Sequence, residues 1–210
     1  MLEIQLEHIR KFYTREVLKD VNLHIVPGSY YAVVGKSGSG KSTLMNILGL
    51  LETFDGGSYT FNGKNIVSGK DYHLLRLTQI GFIYQSYNLI PNLTCEENIL
   101  LPTLYAKRPS DHFERLVDRL DIRPLLKQSS SLLSGGEKQR VAIARSLILN
   151  PALIIADEPT GNLDKENLDL VFSLFEECYL EGRAVVVITH DADTAKQARQ
   201  ILTLQDGRLL

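Results

Sequence analysis

Gly35-Lys36-Ser37-Gly38-Ser39-Gly40-Lys41-Ser42 is the stretch around which the chemistry of the chain is arranged. It satisfies the pattern G-x-x-x-x-G-K-[ST], in which glycines let the backbone bend until successive N–H groups point at one anion. Lys41 can reach the β- and γ-phosphates of a nucleoside triphosphate, and the Ser42 hydroxyl can ligate Mg²⁺. Such a loop works only between a buried strand and a helix start, where the helix dipole adds positive potential. The neighbours fit: Tyr30-Tyr31-Ala32-Val33-Val34 precedes it as an apolar run, and Thr43-Leu44-Met45-Asn46-Ile47-Leu48 follows with helical character. The chain reads as a nucleoside-triphosphate binder. A chance glycine-rich turn is the competing reading, and the strand and helix context argues against it.

Four more groups could carry chemistry. Asp157-Glu158 follows the apolar run Leu153-Ile154-Ile155-Ala156, at the carboxyl edge where open α/β sheets place ligands. Adjacent strand residues point in opposite directions, so the acids should have different jobs. Asp157 suits the Mg²⁺ side and Glu158 suits polarising an attacking water; the alternative is that both cap the next helix. His190 follows the apolar stretch 184–189 and could hydrogen-bond a phosphate oxygen and hold the catalytic carboxylate, or simply cap a helix. Ser134 and Glu137 have the S-x-x-E spacing of a capping box. Gly135 and Gly136 then fall in the first helical turn, where each costs about 1 kcal/mol relative to alanine. Glycines there make sense if a ligand approaches the backbone closely, so Ser134, Gly135 and Gly136 read as a second anion site at a helix start. Tyr13 is the candidate to stack on adenine; alternatively, Phe12 and Tyr13 only cover a sheet edge.

The elements that must hold these residues are legible from periodicity. Residues 2–9 and 21–26 alternate with period two, as half-exposed antiparallel strands do. Residues 58–61 and 80–84 also read as strands, and Asn62-Gly63 is a strong hairpin signal. Between residues 86 and 131, Pro91, Pro102, Pro109 and Pro124 punctuate short helical segments such as 96–105 and 111–120. A long helix is expected from the capping box to about Asn150 and another over 165–179, with Leu168, Val171, Phe172, Phe175 and Cys178 as its core stripe. A short helix over 191–200 and a strand over 201–204 close the chain.

The 210 residues suffice for one α/β domain with a small appended lobe. Apolar residues are 44% and charged residues 23%, with a net charge of −2, the composition of an ordinary globular protein without a nucleic-acid footprint. Cys95 and Cys178 are isolated and should be buried, reduced thiols, and the five histidines show no metal-ligand spacing. The N-terminus lacks signal-peptide features, and no apolar stretch approaches the roughly 18 residues needed to span a bilayer.

The whole chain resembles the nucleotide-binding subunit of ATP-binding-cassette (ABC) transporters. The family's motifs appear in their usual order: the phosphate loop at 35–42, the Q-loop glutamine Gln85, and the signature Leu133-Ser134-Gly135-Gly136-Glu137-Lys138-Gln139. Asp157-Glu158 ends the second acidic motif, Gly161-Asn162-Leu163-Asp164 is the D-loop, and His190 is the switch histidine. Asp-Glu-Pro-Thr-Gly-Asn-Leu-Asp and the short single cassette look most like the bacterial group that includes lipoprotein-release, macrolide- and peptide-efflux and bacteriocin-export cassettes.

The resemblance implies a P-loop NTPase core, 1–85 with 132–210, with a mostly parallel central sheet, an antiparallel β subdomain and an inserted helical subdomain at 86–131. It implies that two subunits, identical or related, sandwich ATP head to tail. Tyr13, Gly35, Lys36, Ser37, Gly38, Ser39, Gly40, Lys41, Ser42 and Thr43 of one subunit would meet Ser134, Gly135 and Gly136 of the other, with Asp164 reaching across. Glu158 is the implied general base, and Gln85, His190 and Lys41 complete the catalytic set. Ser42, Gln85 and Asp157 would attend Mg²⁺. The remaining implied partner is a separate transmembrane permease met by residues 87–94, which places the subunit at the cytoplasmic face of a membrane. An export ATPase is therefore expected. A soluble cassette ATPase or a cell-division-type mechanical one is the alternative, and a small-molecule kinase has no reason to own the signature.

Overall fold

The computed structural model describes residues 2–160 and 165–210, with side chains from 167 onward in the second stretch. Two compact units emerge, Met1–Tyr72 with Glu177–Leu210, and His73–Glu176.

In the first unit, strands β1 (Ile4–Phe12), β2 (Glu16–Ile25), β4 (Gly56–Phe61) and β5 (Lys64–Asn65) form an antiparallel sheet in the order β2-β1-β4-β5. The expected alternation is present: Ile4, Leu6 and Ile9 are buried, as are Val21, Leu23 and Ile25. Both strands run longer than the alternation suggests, because Arg10, Lys11 and Phe12 continue the ladder opposite Lys19, Leu18 and Glu16. Their connection shrinks to Tyr13-Thr14-Arg15. Asn62 and Gly63, both with left-handed backbone (φ 50° and 72°), make the expected tight turn between β4 and β5.

The same unit holds the parallel strands β3 (Tyr30–Val34), β8 (Ala184–Ile188) and β9 (Gln200–Gln205), with β3 in the middle, and β10 (Arg208–Leu209) folding back antiparallel on β9. All of β8 is buried, in keeping with a strand that is apolar throughout rather than alternating. Helix α1 (Lys41–Leu48) buries Leu44, Met45, Ile47 and Leu48. The buried Tyr59 hydroxyl of β4 donates to the Leu48 carbonyl at 2.6 Å, tying the antiparallel sheet to the end of α1. The last helix, α7 (Ala192–Ala195), is shorter than expected: residues 196–198 turn, and strand pairing then claims the rest, with Arg199 N donating to the Tyr30 carbonyl at 3.0 Å and Gln200 paired with Tyr31.

In the second unit, β6 (Ile80–Ile83) lies parallel to β7 (Leu153–Asp157). Around them the unit has α2 (His73–Gln79), α3 (Cys95–Ala106), α4 (Phe113–Arg119), α5 (Gly135–Leu147) and α6 (Lys165–Leu180), the last running on past the unit boundary at Glu177. Helix α2 was not anticipated; Leu74, Leu75 and Leu77 are its apolar residues, yet none of its residues is buried. The segment 86–131 contains α3, α4 and the two 3-10 turns Arg123–Leu125 and Ser130–Leu132. Fully buried Asn98 orders the loop ahead of α3 by bonding both the N–H and the carbonyl of Ile90, at 2.9 and 3.1 Å. On α6, Val171, Leu174, Phe175 and Cys178 are the buried residues among the described side chains, while Leu168 and Phe172 are half-buried. Cys95 and Cys178 are free and buried.

Candidate nucleotide-binding cassette site

The phosphate loop leaves β3 at Val34 and enters α1 at Lys41. Gly35 is required by crowding, since a Cβ there would stand 2.3 Å from the Leu204 carbonyl oxygen and 2.8 Å from Ser39 Oγ. Gly40 caps α1 in a left-handed conformation (φ 105°), with Val17 and Leu18 of β2 against it. The Lys41 ammonium folds back over the loop and donates to the carbonyls of Gly35 and Lys36, at 2.7 and 3.1 Å. Ser39 Oγ is buried without a hydrogen-bond partner among the described residues. A buried hydroxyl without a partner is costly, and a phosphate oxygen is a ligand that would satisfy it. Lys36, Ser37, Gly38 and Ser42 are exposed. A cavity of about 550 Å³ opens beside residues 35–39, walled by Arg15, Glu16, Val17 and Lys19 and by residues 203–207 at the end of β9.

Tyr13 does not line that cavity. It sits just after β1, 55% exposed, with its hydroxyl donating to the Glu52 carboxylate and Lys11 Nζ 5.3 Å from its ring centroid. Burial and the Glu52 carboxylate push its phenol up, while the hydroxyl of Thr43, on α1, opposes them. His190 follows β8 and is exposed. The residue that caps α7 is its neighbour Asp191, whose carboxylate accepts from Thr194 N at 2.7 Å and is held low by the Thr194 bonds.

The second unit carries the acidic motif and the signature. Asp157 ends β7, and Glu158 leaves the strand in a left-handed conformation, φ 45°. A non-glycine residue there is uncommon and marks a backbone held by its surroundings. The hold is visible one residue on: buried Gln139 of α5 donates from Nε2 to the Pro159 carbonyl at 3.0 Å. Gln85 is exposed just beyond β6, and its neighbour Tyr84 has its phenol pushed up by burial, with Arg145 opposing and the Asp157 carboxylate adding to the rise. Arg145 of α5 donates to the carbonyls of Tyr87 and Asn88, at 2.8 and 2.7 Å, and so pins the chain that follows Gln85.

At the start of α5 both arms of the capping box form: Glu137 N donates to Ser134 Oγ at 3.4 Å, and Ser134 N donates to Glu137 Oε2 at 2.8 Å. The Ser134 hydroxyl, which donates to the same Glu137 oxygen at 2.7 Å, and the Ser134 N–H hold the Glu137 carboxyl below its usual range. The two signature glycines also have reasons within the chain. A Cβ on Gly135 would meet the Tyr87 hydroxyl at 3.2 Å, and one on Gly136 would meet Asn167 Nδ2 at 2.6 Å. Asn167 Oδ1 in turn accepts from Arg140, one turn along α5.

The structure therefore groups Tyr13, the loop, Thr43 and His190 in one unit, and Gln85, Ser134, Gly135, Gly136, Asp157 and Glu158 in the other. Asp164 and the rest of the D-loop lie outside the described residues. Gln139 and Arg145 are supporting residues that sequence reasoning passed over. Their only signal was the position of Gln139 at the end of the signature, since a helix's polar side chains do not announce which carbonyl they will reach.

A profile of the ABC transporter family matches residues 18–161 of this chain. The chain belongs to the ABC transporter family. The cassette is 42% identical over 200 residues to the ABC transporter ATP-binding protein YvrO of Bacillus subtilis, an uncharacterized protein, covering 92% of this chain and 87% of that one. It is 40% identical to the macrolide export ATP-binding/permease protein MacB of Bdellovibrio bacteriovorus, covering 97% of this chain but 33% of that one. The cassette thus spans about a third of the length of the macrolide export proteins it matches. Among solved structures, the dimeric ABC transporter cassette MJ0796 superposes with a TM-score of 0.88 at 36% identity, covering 98% of this chain and 96% of that one. A post-hydrolysis dimer of the same cassette bound to ADP and Pi has the same TM-score at 34% identity.

Proposed function

We propose that the cassette binds ATP with Mg²⁺, pairs around it with a second copy or a related cassette, hydrolyses it, and so drives an export permease at the membrane. The observation that carries the reading is the loop itself: Ser39 Oγ, buried and without a partner among the described residues, beside an ammonium that folds over backbone carbonyls, is a built receptor for phosphate oxygens. Gly35, Lys36, Ser37, Gly38, Ser39, Gly40, Lys41, Ser42 and Thr43 hold the triphosphate by backbone N–H groups, the α1 dipole and the Lys41 charge. Tyr13 takes the base. The donors assigned to the metal, the Ser42 hydroxyl, the Gln85 amide and the Asp157 carboxylate, are hard oxygens of the kind Mg²⁺ prefers. Among the described residues there is no cluster of three or more histidine, cysteine or acidic side chains that could hold a metal ion by itself. When bound, Mg²⁺ would supply charge neutralisation at the β- and γ-oxygens.

Glu158 is the general base for the attacking water, and its left-handed backbone turns it off the line of β7, away from the job given to Asp157. His190 contacts the γ-phosphate, and Gln85 senses the metal and the water. Ser134, Gly135 and Gly136 offer a helix start to the partner's phosphates, and Asp164 reaches across the pair. Support for pairing comes from the MJ0796 dimers, and support for a permease from relatives whose name joins ATP-binding and permease functions. No helix among the described residues is long and apolar enough to cross a membrane.

Glu158→Gln tests the reading. Turnover should fall by roughly 10²–10⁴-fold, the worth of a general base. ATP with Mg²⁺ should convert the variant to a dimer on size exclusion, and gentle membrane extraction should recover an integral membrane protein with it. Retained turnover refutes the role of Glu158, and recovery of soluble partners alone refutes the permease.

A further inference from the structure

Lys11 is 7% exposed in the first unit, and lysine is almost never buried without partners. Its ammonium lies 3.4 Å from Glu52 Oε1, 3.4 Å from Thr53 Oγ1 and 3.8 Å from Asp55 Oδ1. It also stands 5.3 Å from the centroid of the Tyr13 ring, within cation–π range. The Tyr13 hydroxyl donates to the same Glu52 carboxylate that faces Lys11. Backbone bonds close the cluster: Phe12 N donates to Asp55 Oδ2 at 2.7 Å, and Asp55 N donates to the Arg10 carbonyl at 2.9 Å. Residues 52–55, which leave α1, are thereby stitched to the end of β1. The cluster's charges converge on a single aromatic ring. The ammonium stands against that ring, and Tyr13 is nonetheless 55% exposed, so more than half of its surface stays open to solvent.

We infer that Lys11, together with Glu52, is a positioning residue that locks Tyr13 as a platform for the base of the bound nucleotide. The inference rests on the reading of Tyr13 as the base-stacking residue. Holding the ring through the Lys11 ammonium and its own hydroxyl removes rotamer freedom that would otherwise be lost on stacking, so the gain goes to base affinity. Because residues 52–55 continue from α1, the platform is built onto the helix whose start receives the phosphates. Lys11 itself touches neither base nor phosphate.

The test measures affinity of the purified chain for ATP and for inorganic tripolyphosphate, which offers phosphates without a base. Lys11→Met should weaken ATP by about 2–10-fold, the worth of one pre-ordered side chain, and leave tripolyphosphate unchanged. Lys11→Arg should recover most of the loss. Tyr13→Leu should cost ATP roughly tenfold or more through lost stacking, and adding Lys11→Met to it should cost nothing further. Equal weakening of both probes by Lys11→Met, or losses that multiply in the double variant, would overturn the inference. If Lys11→Met does not fold, Tyr13→Phe, which keeps every ion pair and drops only the bond to Glu52, should show the same base-dependent loss on a smaller scale. An unchanged ATP affinity there overturns it too. The underlying reading fails separately: Tyr13→Leu without effect on ATP removes Tyr13 as the platform, whereas Tyr13→Leu costly and Lys11→Met silent removes only the positioning.

Discussion

Gly35 and Gly38 occupy equivalent-looking places in the motif, and the structure gives them different duties. A Cβ at Gly35 runs into the Leu204 backbone at 2.3 Å, and backbone cannot step aside. Gly38 has nothing within 4 Å and is needed only for its φ of 75°. Gly35→Ala should therefore cost about 2–3 kcal/mol as an overpacking change. Gly38→Ala should cost about 1–2 kcal/mol, the penalty of a left-handed alanine. Urea denaturation of the two variants decides it, and equal losses would contradict the crowding at Gly35. The loop's spacing was readable because each residue serves a local backbone shape. The left-handed Glu158, the buried Ser39 hydroxyl without a partner among the described residues, and the lysine beside Tyr13 were not readable, because each depends on neighbours far along the chain.

At the scale of elements, α5 organises the second unit. Its capping box was legible from Ser134 and Glu137 alone, since both partners lie within one turn. What the helix does beyond its own turn was not: Gln139 fixes the turn after Glu158, Arg145 fixes the chain after Gln85, and Asn167 with Arg140 packs against Gly136. The glycines that suggested room for a ligand also make room for Tyr87 and Asn167. The cap predicts a pH dependence. The Glu137 carboxyl is lowered from 4.5 by the bonds from the Ser134 hydroxyl and N–H. A folded value below the unfolded one contributes stability that is complete above the unfolded value and is lost as pH falls through the folded value. The urea midpoint should therefore drop more steeply below about pH 4.5 in the parent than in Glu137→Gln. The gap between the two should close as pH falls through the folded value, and parallel curves would remove the cap as the cause.

At the scale of the whole molecule, the chain leaves its first unit at Tyr72 and returns at Glu177, so the phosphate loop and the acidic motif are built in separately compact units. The proposed function makes ATP a ligand of the folded chain only, and such a ligand stabilises by mass action. With Mg²⁺ and ATP about a hundredfold above its Kd, the Glu158→Gln variant should gain about 2.7 kcal/mol. For a chain of this length that is a rise of roughly 5–10 °C in Tm. Calorimetry with and without nucleotide measures it, and an unmoved Tm would contradict binding.

Local and periodic features were determined by the sequence itself: the loop between apolar run and helix, both strand alternations, the Asn62-Gly63 turn, and the capping box of α5. Each follows from interactions a few residues apart or from a two-residue period. Tertiary structure decided what such rules do not reach. Strand pairing claimed Arg199 and Gln200 for the sheet, and α2 formed although it buries none of its residues. Buried Lys11 found two carboxylates more than forty positions away, and Gln139 found a carbonyl twenty positions on. Those contacts exist because a buried charge or amide must be satisfied by whatever the fold brings within reach, and that identity is set by packing rather than by spacing.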